Sequence, residues 1–269
     1  MRGWLRVLGA IVVVVVLLGA GQFLWIGVNA VLGLPESGWQ ALALSNIVAF
    51  APPALALAVW LWLREGRSVA DLGFRVRRPA LAVLAGAGTA VVLFVVSQLV
   101  VVLSDPVDPG TGDAAGPISP GVTVALVLLV TIAVQASTEE LFLRGYLLGT
   151  ARRHVGTAAA VLLSSVVFGL LHSLNPNASV AYVAATGALG LLLAFIALSG
   201  GGLWASCAFH AIWNAIPSVA SAGETPDGPL DTGGSVANLA YVAVYLVFAA
   251  LAGWSYRRRT RRDGAVRAG

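Results

Sequence analysis

Residues 155–223 read VGTAAAVLLSSVVFGLLHSLNPNASVAYVAATGALGLLLAFIALSGGGLWASCAFHAIWNAIPSVASAG, 69 positions without a single Asp, Glu, Lys or Arg. A helix needs about 20 apolar residues to cross the hydrocarbon of a bilayer, so this run is too long for one span and suits three. Asn175-Pro176-Asn177 and Gly200-Gly201-Gly202 divide it. Outward from it, charge-free runs at 7–35, 37–63, 79–104, 114–138 and 232–256 each suit one more span. The expectation is an all-α, polytopic membrane bundle of about eight transmembrane helices. They are expected at about 5–32, 39–63, 80–103, 120–150, 156–173, 180–198, 203–220 and 236–256, with Pro52-Pro53 kinking the second. A transmembrane β-barrel would instead show weak alternating segments of about 10 residues.

Composition agrees. The chain has 269 residues, 58% hydrophobic and 10% charged, whereas soluble domains carry about 25% charged residues. Lipid must be the main solvent. The single Cys207 rules out an intrachain disulfide and reads as a small buried residue.

Fifteen of the sixteen arginines fall in four places: Arg2 and Arg6, the 64–78 loop, Arg152-Arg153, and the tail from Arg257 to Arg267. With eight spans these places share one side. The opposite loops, 104–118 and 221–235, carry only acidic residues. The positive-inside bias therefore puts the N-terminus and C-terminus in the cytoplasm. Net charge of +4 is explained by this placement, with headgroup anchoring, and implies no nucleic-acid partner. Arg2 and Arg6 precede an apolar stretch that continues to Leu34, longer than the core of a signal peptide, so an uncleaved first span is expected.

Against this background few ionisable residues fall at membrane depth, and such residues are costly enough to mark function by default. Arg144 is the one arginine outside the four basic places. Glu139 and Glu140 are the only carboxylates away from loops and termini, and His172 and His210 lie in the 69-residue run. With the Arg152-Arg153 turn at the inner interface and 1.5 Å rise per residue, Glu139 lies at about 20 Å, His172 at about 25 Å, His210 at about 12 Å and Asn214 at about 18 Å. Tilt and a recessed glycine turn would close the gap. Glu140 and Arg144 are i and i+4 and can pair; Glu139, rotated by about 100°, is free to face the fifth and seventh spans. A carboxylate and a histidine sharing a water can deprotonate it as it attacks a carbonyl. A second histidine and an amide can hold the oxyanion.

Three motifs carry a family resemblance. Glu139-Glu140-Leu-Phe-Leu-Arg144 fits Glu-Glu-x-x-x-Arg, Phe168-Gly-Leu-Leu-His172 fits Phe-x-x-x-His, and His210-Ala-Ile-Trp-Asn214 fits His-x-x-x-Asn. In this order they resemble the CAAX prenyl protease and bacteriocin-processing (CPBP, or Abi) family of intramembrane proteases, over about 135–216. The resemblance implies that Glu139 and His172 activate the hydrolytic water, that His210 and Asn214 stabilise the oxyanion, and that Glu140 and Arg144 support the fold. The implied substrate is a membrane-embedded or membrane-adjacent peptide or protein, lipidated in the CAAX manner, in the cell membrane. The family is usually called metalloprotease. Glu139, His172 and His210 could hold a divalent metal such as zinc, but there is no His-Glu-x-x-His helix, and direct activation by Glu and His is preferred.

The expected organisation is 1–118 (three spans with loops), 119–220 (the catalytic spans) and 221–269 (a loop, the last span and the basic tail). Two other functions stay open. A proton-coupled transporter also uses intramembrane carboxylates and histidines, though here every such group falls in the second half of the chain, without a paired repeat. A non-catalytic membrane partner or immunity protein would keep the motifs for packing alone. Phe168, Trp204 and Trp213 read as packing residues.

Overall fold

The computed structural model describes residues 2–34, 37–104, 121–175, 178–222 and 236–268. Most of the two acidic loops, the 118/119 boundary and the Pro176-Asn177 break lie outside the described residues. Within them the chain is helical: α1 (Arg2–Leu32), α2 (Gly38–Trp60), α3 (Pro79–Ser104), α4 (Val122–Glu140), α5 (Leu148–Val155), α6 (Thr157–His172), α7 (Val180–Leu198), α8 (Gly202–Ala220) and α9 (Val236–Ala268). Six helical runs are long and apolar enough to cross a membrane. The six include α4 and α5 as one run, Val122–Val155, so the described residues form eight long helical runs, six of which are long and apolar enough to cross. The 16-residue α6 is shorter than the six, and α8, which carries His210 and Asn214, is diluted by polar residues.

Two features depart from the expected spans. The fourth helix does not stop near Thr150 but runs to Val155, and the last extends to Ala268 instead of 256. The second and fourth also contain π-helical segments, Leu61–Glu65 and Leu141–Leu147. A π turn inserts extra backbone into an α-helix and is common at functional sites; here it follows directly upon Glu139-Glu140. Pro52 and Pro53 sit inside α2, which continues through them.

The polar face of the fourth span is the centre of the bundle. α4 packs on α2 and α8, α6 on α7, α7 on α9, and α3 on α8. Phe142, Phe168, Tyr182, Phe209, Trp213 and Tyr245 are fully buried between them. Large apolar residues such as Phe23, Leu84, Leu103 and Leu162 face outward, which is costly in water and neutral in lipid.

The basic segments gather at one end. Gly3 lies against His154, Gly200 lies beside Arg259, and Arg152 Nη2 reaches Tyr256 Oη at 3.5 Å. The 66–78 loop at this end is tied to the start of α8. Leu203 N–H donates to the Gly73 carbonyl at 3.0 Å, and Trp204 Nε1–H to the Phe74 carbonyl at 2.9 Å. Gly202 has φ +55°, and a Cβ there would strike the Gly73 carbonyl oxygen, so the tie demands glycine. Trp204 also meets Phe74 edge-on at 5.2 Å.

Inside this loop Asp71 accepts from the Ser68 N–H (2.8 Å), the Ser68 hydroxyl (2.9 Å) and Arg75 Nε (2.7 Å). The Ser68 donors and then Arg75 hold its carboxyl down to about 2, from 3.8. A carboxyl lowered in the folded state contributes order that is complete above its ordinary value and lost as pH falls through the lowered one. Protection of the 66–78 loop from hydrogen exchange, relative to the free-chain rate at each pH, is therefore expected to persist from neutrality to about pH 4 and to fall toward pH 2. Asp71→Asn should lose this protection at neutral pH.

Candidate active site

Glu139 and Glu140 end α4 on adjacent faces. Glu140 is wholly buried, and Oε1 accepts from Arg144 Nη1 at 2.9 Å. Arg144 Nη2 continues to the Gly190 carbonyl on α7 at 3.2 Å, and its guanidinium lies over the Phe168 ring at 4.3 Å. The expected pair is thus present, as one arm of a fixed arginine. Gly190 makes room for it: a Cβ there would lie 3.0 Å from Phe168 and 3.3 Å from Arg144 Nη2.

The same Glu140 Oε1 receives His210 Nδ1 from α8 at 3.0 Å. Because the carboxylate only accepts, Nδ1 carries the hydrogen and Nε2 is directed elsewhere. Nε2 lies 3.8 Å from Glu139 Oε2. His210 is therefore hydrogen-bonded to Glu140 and stands close to Glu139, a role for Glu140 that its spacing to Arg144 does not reveal.

Glu139 is 7% exposed. Oε1 accepts from Gln135 Nε2 at 2.7 Å, while Oε2 is buried and accepts no hydrogen bond among the described residues. The other end of the Gln135 amide accepts from Asn214 Nδ2 at 3.3 Å. Gln135 was not among the expected site residues. Its signal was available: it is one helical turn before Glu139 and the only amide between 114 and 138.

His172 ends α6 and is half-buried. Its Nδ1 donates to the Phe168 carbonyl at 2.9 Å, which leaves Nε2 as the free acceptor of a neutral ring. Phe168, expected only as core, touches both imidazoles edge-on, at 4.5 Å for His172 and 5.7 Å for His210. No ion pair joins Glu139 to His172 among the described residues. The contact between the first carboxylate and the fifth span is therefore indirect, whereas the contact with the seventh is close.

The expected depth gap between His210 and Glu139 is closed by where α8 begins. Leu203 packs against Gly145, whose Cβ would lie 3.0 Å from Leu203 Cδ1. α8 thus starts level with Gly145 and not with Arg152-Arg153. Seven residues up α8 and five or six up the fourth span then reach about the same height.

Glu139, His172 and His210 are also the candidates for a metal. Among the described residues no three His, Cys, Asp or Glu side chains form a metal-holding group. Glu139 is turned to Gln135 and His210, and His172 is held back on Phe168. As arranged these three donors do not fit a metal.

Every residue of this cluster lies within 121–216. Comparisons with curated proteins and with solved structures give no match. Residues 121–216 match the model of the family described as Type II CAAX prenyl endopeptidase Rce1-like, a match consistent with the CPBP resemblance of the three motifs.

Proposed function

We propose that this chain is a multi-pass intramembrane endopeptidase of the cell membrane, with both termini cytoplasmic. It hydrolyses a peptide bond in a membrane-embedded or membrane-adjacent, CAAX-type lipidated substrate, using water activated by Glu139 and His172. The observation that carries this reading is Glu139 Oε2: a buried carboxylate oxygen with no hydrogen-bond donor among the described residues, 3.8 Å from His210 Nε2. Buried polar atoms without partners are rare and call for a functional account.

In the proposed reaction water donates to Glu139 Oε2 or His172 Nε2 while its oxygen attacks the carbonyl carbon. The oxyanion forms beside His210 Nε2–H and the second amide hydrogen of Asn214, the first being used on Gln135. Each such donor is worth about 3–4 kcal/mol in other enzymes. Donation from Nε2 as well as from Nδ1 requires the doubly protonated ring. Collapse of the intermediate breaks the C–N bond, and the proton taken from water goes to the leaving amine.

The test is cleavage of lipidated and unlipidated C-terminal peptides by purified protein in liposomes. Wild type is expected to release a fragment and His172→Ala to lose at least about a hundredfold in rate. Cleavage by His172→Ala at the wild-type rate would sink the reading, and proton flux without cleavage would point to a carrier.

Gln135 acts here as a positioning residue. Gln135→Ala should lower kcat about 10- to 100-fold with KM nearly unchanged, the range for a lost hydrogen bond to a charged group. A rise in KM at constant kcat would instead assign Gln135 to substrate binding.

A further inference from the structure

At the arginine-rich end a cavity of about 450 Å³ opens between the 66–78 loop, α5, the start of α6 and the end of α7. Four guanidinium groups line it: Arg67, Arg152 and Arg153, with Arg144 among the lining residues from the catalytic cluster. The one carboxylate in the lining, Asp71, is already committed to Ser68 and Arg75. Arg67 pairs with Glu65 at 3.0 Å and Arg144 with Glu140. Arg152 and Arg153 have no carboxylate at ion-pair distance among the described residues. Their side-chain hydrogen bonds are long and to hydroxyls, 3.5 Å to Tyr256 and 3.3 Å to Thr150. Arg153 feels the positive charges of Arg67 and Arg6 and the negative charge of Glu65, which is itself paired with Arg67. Arg144 Nε, fully buried, has no hydrogen-bond partner among the described residues.

Like charges gathered around a concave space repel one another and cost energy unless an anion joins them. Gly149 lines the cavity, and a Cβ there would enter open space with no atom within 4 Å. We propose that this cavity is a binding site for a phosphate group, held by Arg67, Arg152 and Arg153. A guanidinium matches two phosphate oxygens with a planar fork, a geometry that lysine does not offer. The site lies at the ends of membrane-spanning helices, the depth of lipid headgroups, where basic pockets between helices take up anionic lipids. An anionic phospholipid headgroup and free inorganic phosphate present the same chemistry. The proposal does not depend on the catalytic reading.

The experiment measures the thermal unfolding midpoint of the full chain in phosphatidylcholine nanodiscs with increasing phosphatidylglycerol, and in detergent with increasing inorganic phosphate. Wild type is expected to be stabilised in a saturable manner. The apparent affinity should fall about tenfold or more in Arg152→Gln/Arg153→Gln, equivalent to about 1.4 kcal/mol. Gly149→Leu, which fills the cavity without removing charge, should fall likewise. Arg257→Gln/Arg258→Gln removes as much charge from the same end, outside the cavity, and should bind as wild type does. Response to phosphatidylglycerol alone assigns the site to a headgroup, and response to inorganic phosphate assigns it to the free ion. Equal weakening in the tail variant, undiminished binding in both cavity variants, or no stabilisation of wild type by either ligand would overturn the proposal.

Discussion

Glu139→Gln is expected to reduce cleavage by about a thousandfold, within the range for loss of a general base, while the protein remains folded. The substitution preserves shape, and the new amide oxygen can still accept from Gln135, whose bond to Glu139 Oε1 is 2.7 Å. What it removes is the proton acceptor at Oε2, the buried oxygen beside His210 Nε2. The loss should fall on kcat, because the proton is transferred only as the carbonyl is attacked. Rate measurements in liposomes, beside an unfolding curve to show that stability is kept, would check it. Retention of a tenth or more of wild-type kcat would remove Glu139 from the chemistry. The catalytic base would then have to be sought at His172 alone.

The second large effect is on stability. Arg144→Leu should destabilise the protein by about 3–5 kcal/mol, the range for breaking a buried ion pair from one side. Glu140 would keep its bond from His210 but lose Arg144 Nη1, with both side chains of the former pair fully buried. The Gly190 carbonyl would lose its donor and Phe168 its overlying cation. Adding Glu140→Gln to Arg144→Leu should recover part of the stability, since no unpaired charge then remains. Activity should stay low, because His210 would lose the carboxylate that fixes its Nδ1 as donor. Denaturation of the two single variants and the double in mild detergent gives the cycle. Additive single effects would show that Glu140 and Arg144 are not coupled.

These two outcomes separate roles that adjacent positions in the sequence conceal. Glu139 and Glu140 are chemically identical neighbours, and each has a buried Oε2 without a hydrogen-bond partner among the described residues. Yet Glu140 Oε1 is shared by Arg144 and His210, while Glu139 Oε1 takes only Gln135 and its Oε2 lies 3.8 Å from His210 Nε2. A rotation of about 100° between successive helical residues is enough to send them to different surroundings. The Gln135 link has the same origin. On paper it is one amide in an apolar run; in the fold it joins Glu139 on its own helix to Asn214 on α8.

Much was legible before any coordinates. The charge-free runs give the spans because lipid offers no partner to exposed charge or backbone, so hydropathy alone reveals which segments cross. The clustering of arginines into four places foretold one basic end, and the structure brings those places together. The Glu140–Arg144 pair followed from local helical geometry. Only the tertiary structure decided what crosses between helices: His210 bonded to Glu140 and close to Glu139, Phe168 bearing on both histidines, and the low start of α8 that brings His210 level with Glu139. The π turn after Glu140 and the basic cavity also came only from the fold. Spans are set by each segment's own exchange with the solvent, and one segment suffices to read them. Side-chain contacts across spans depend on the relative rotation and height of separate helices, which packing fixes jointly.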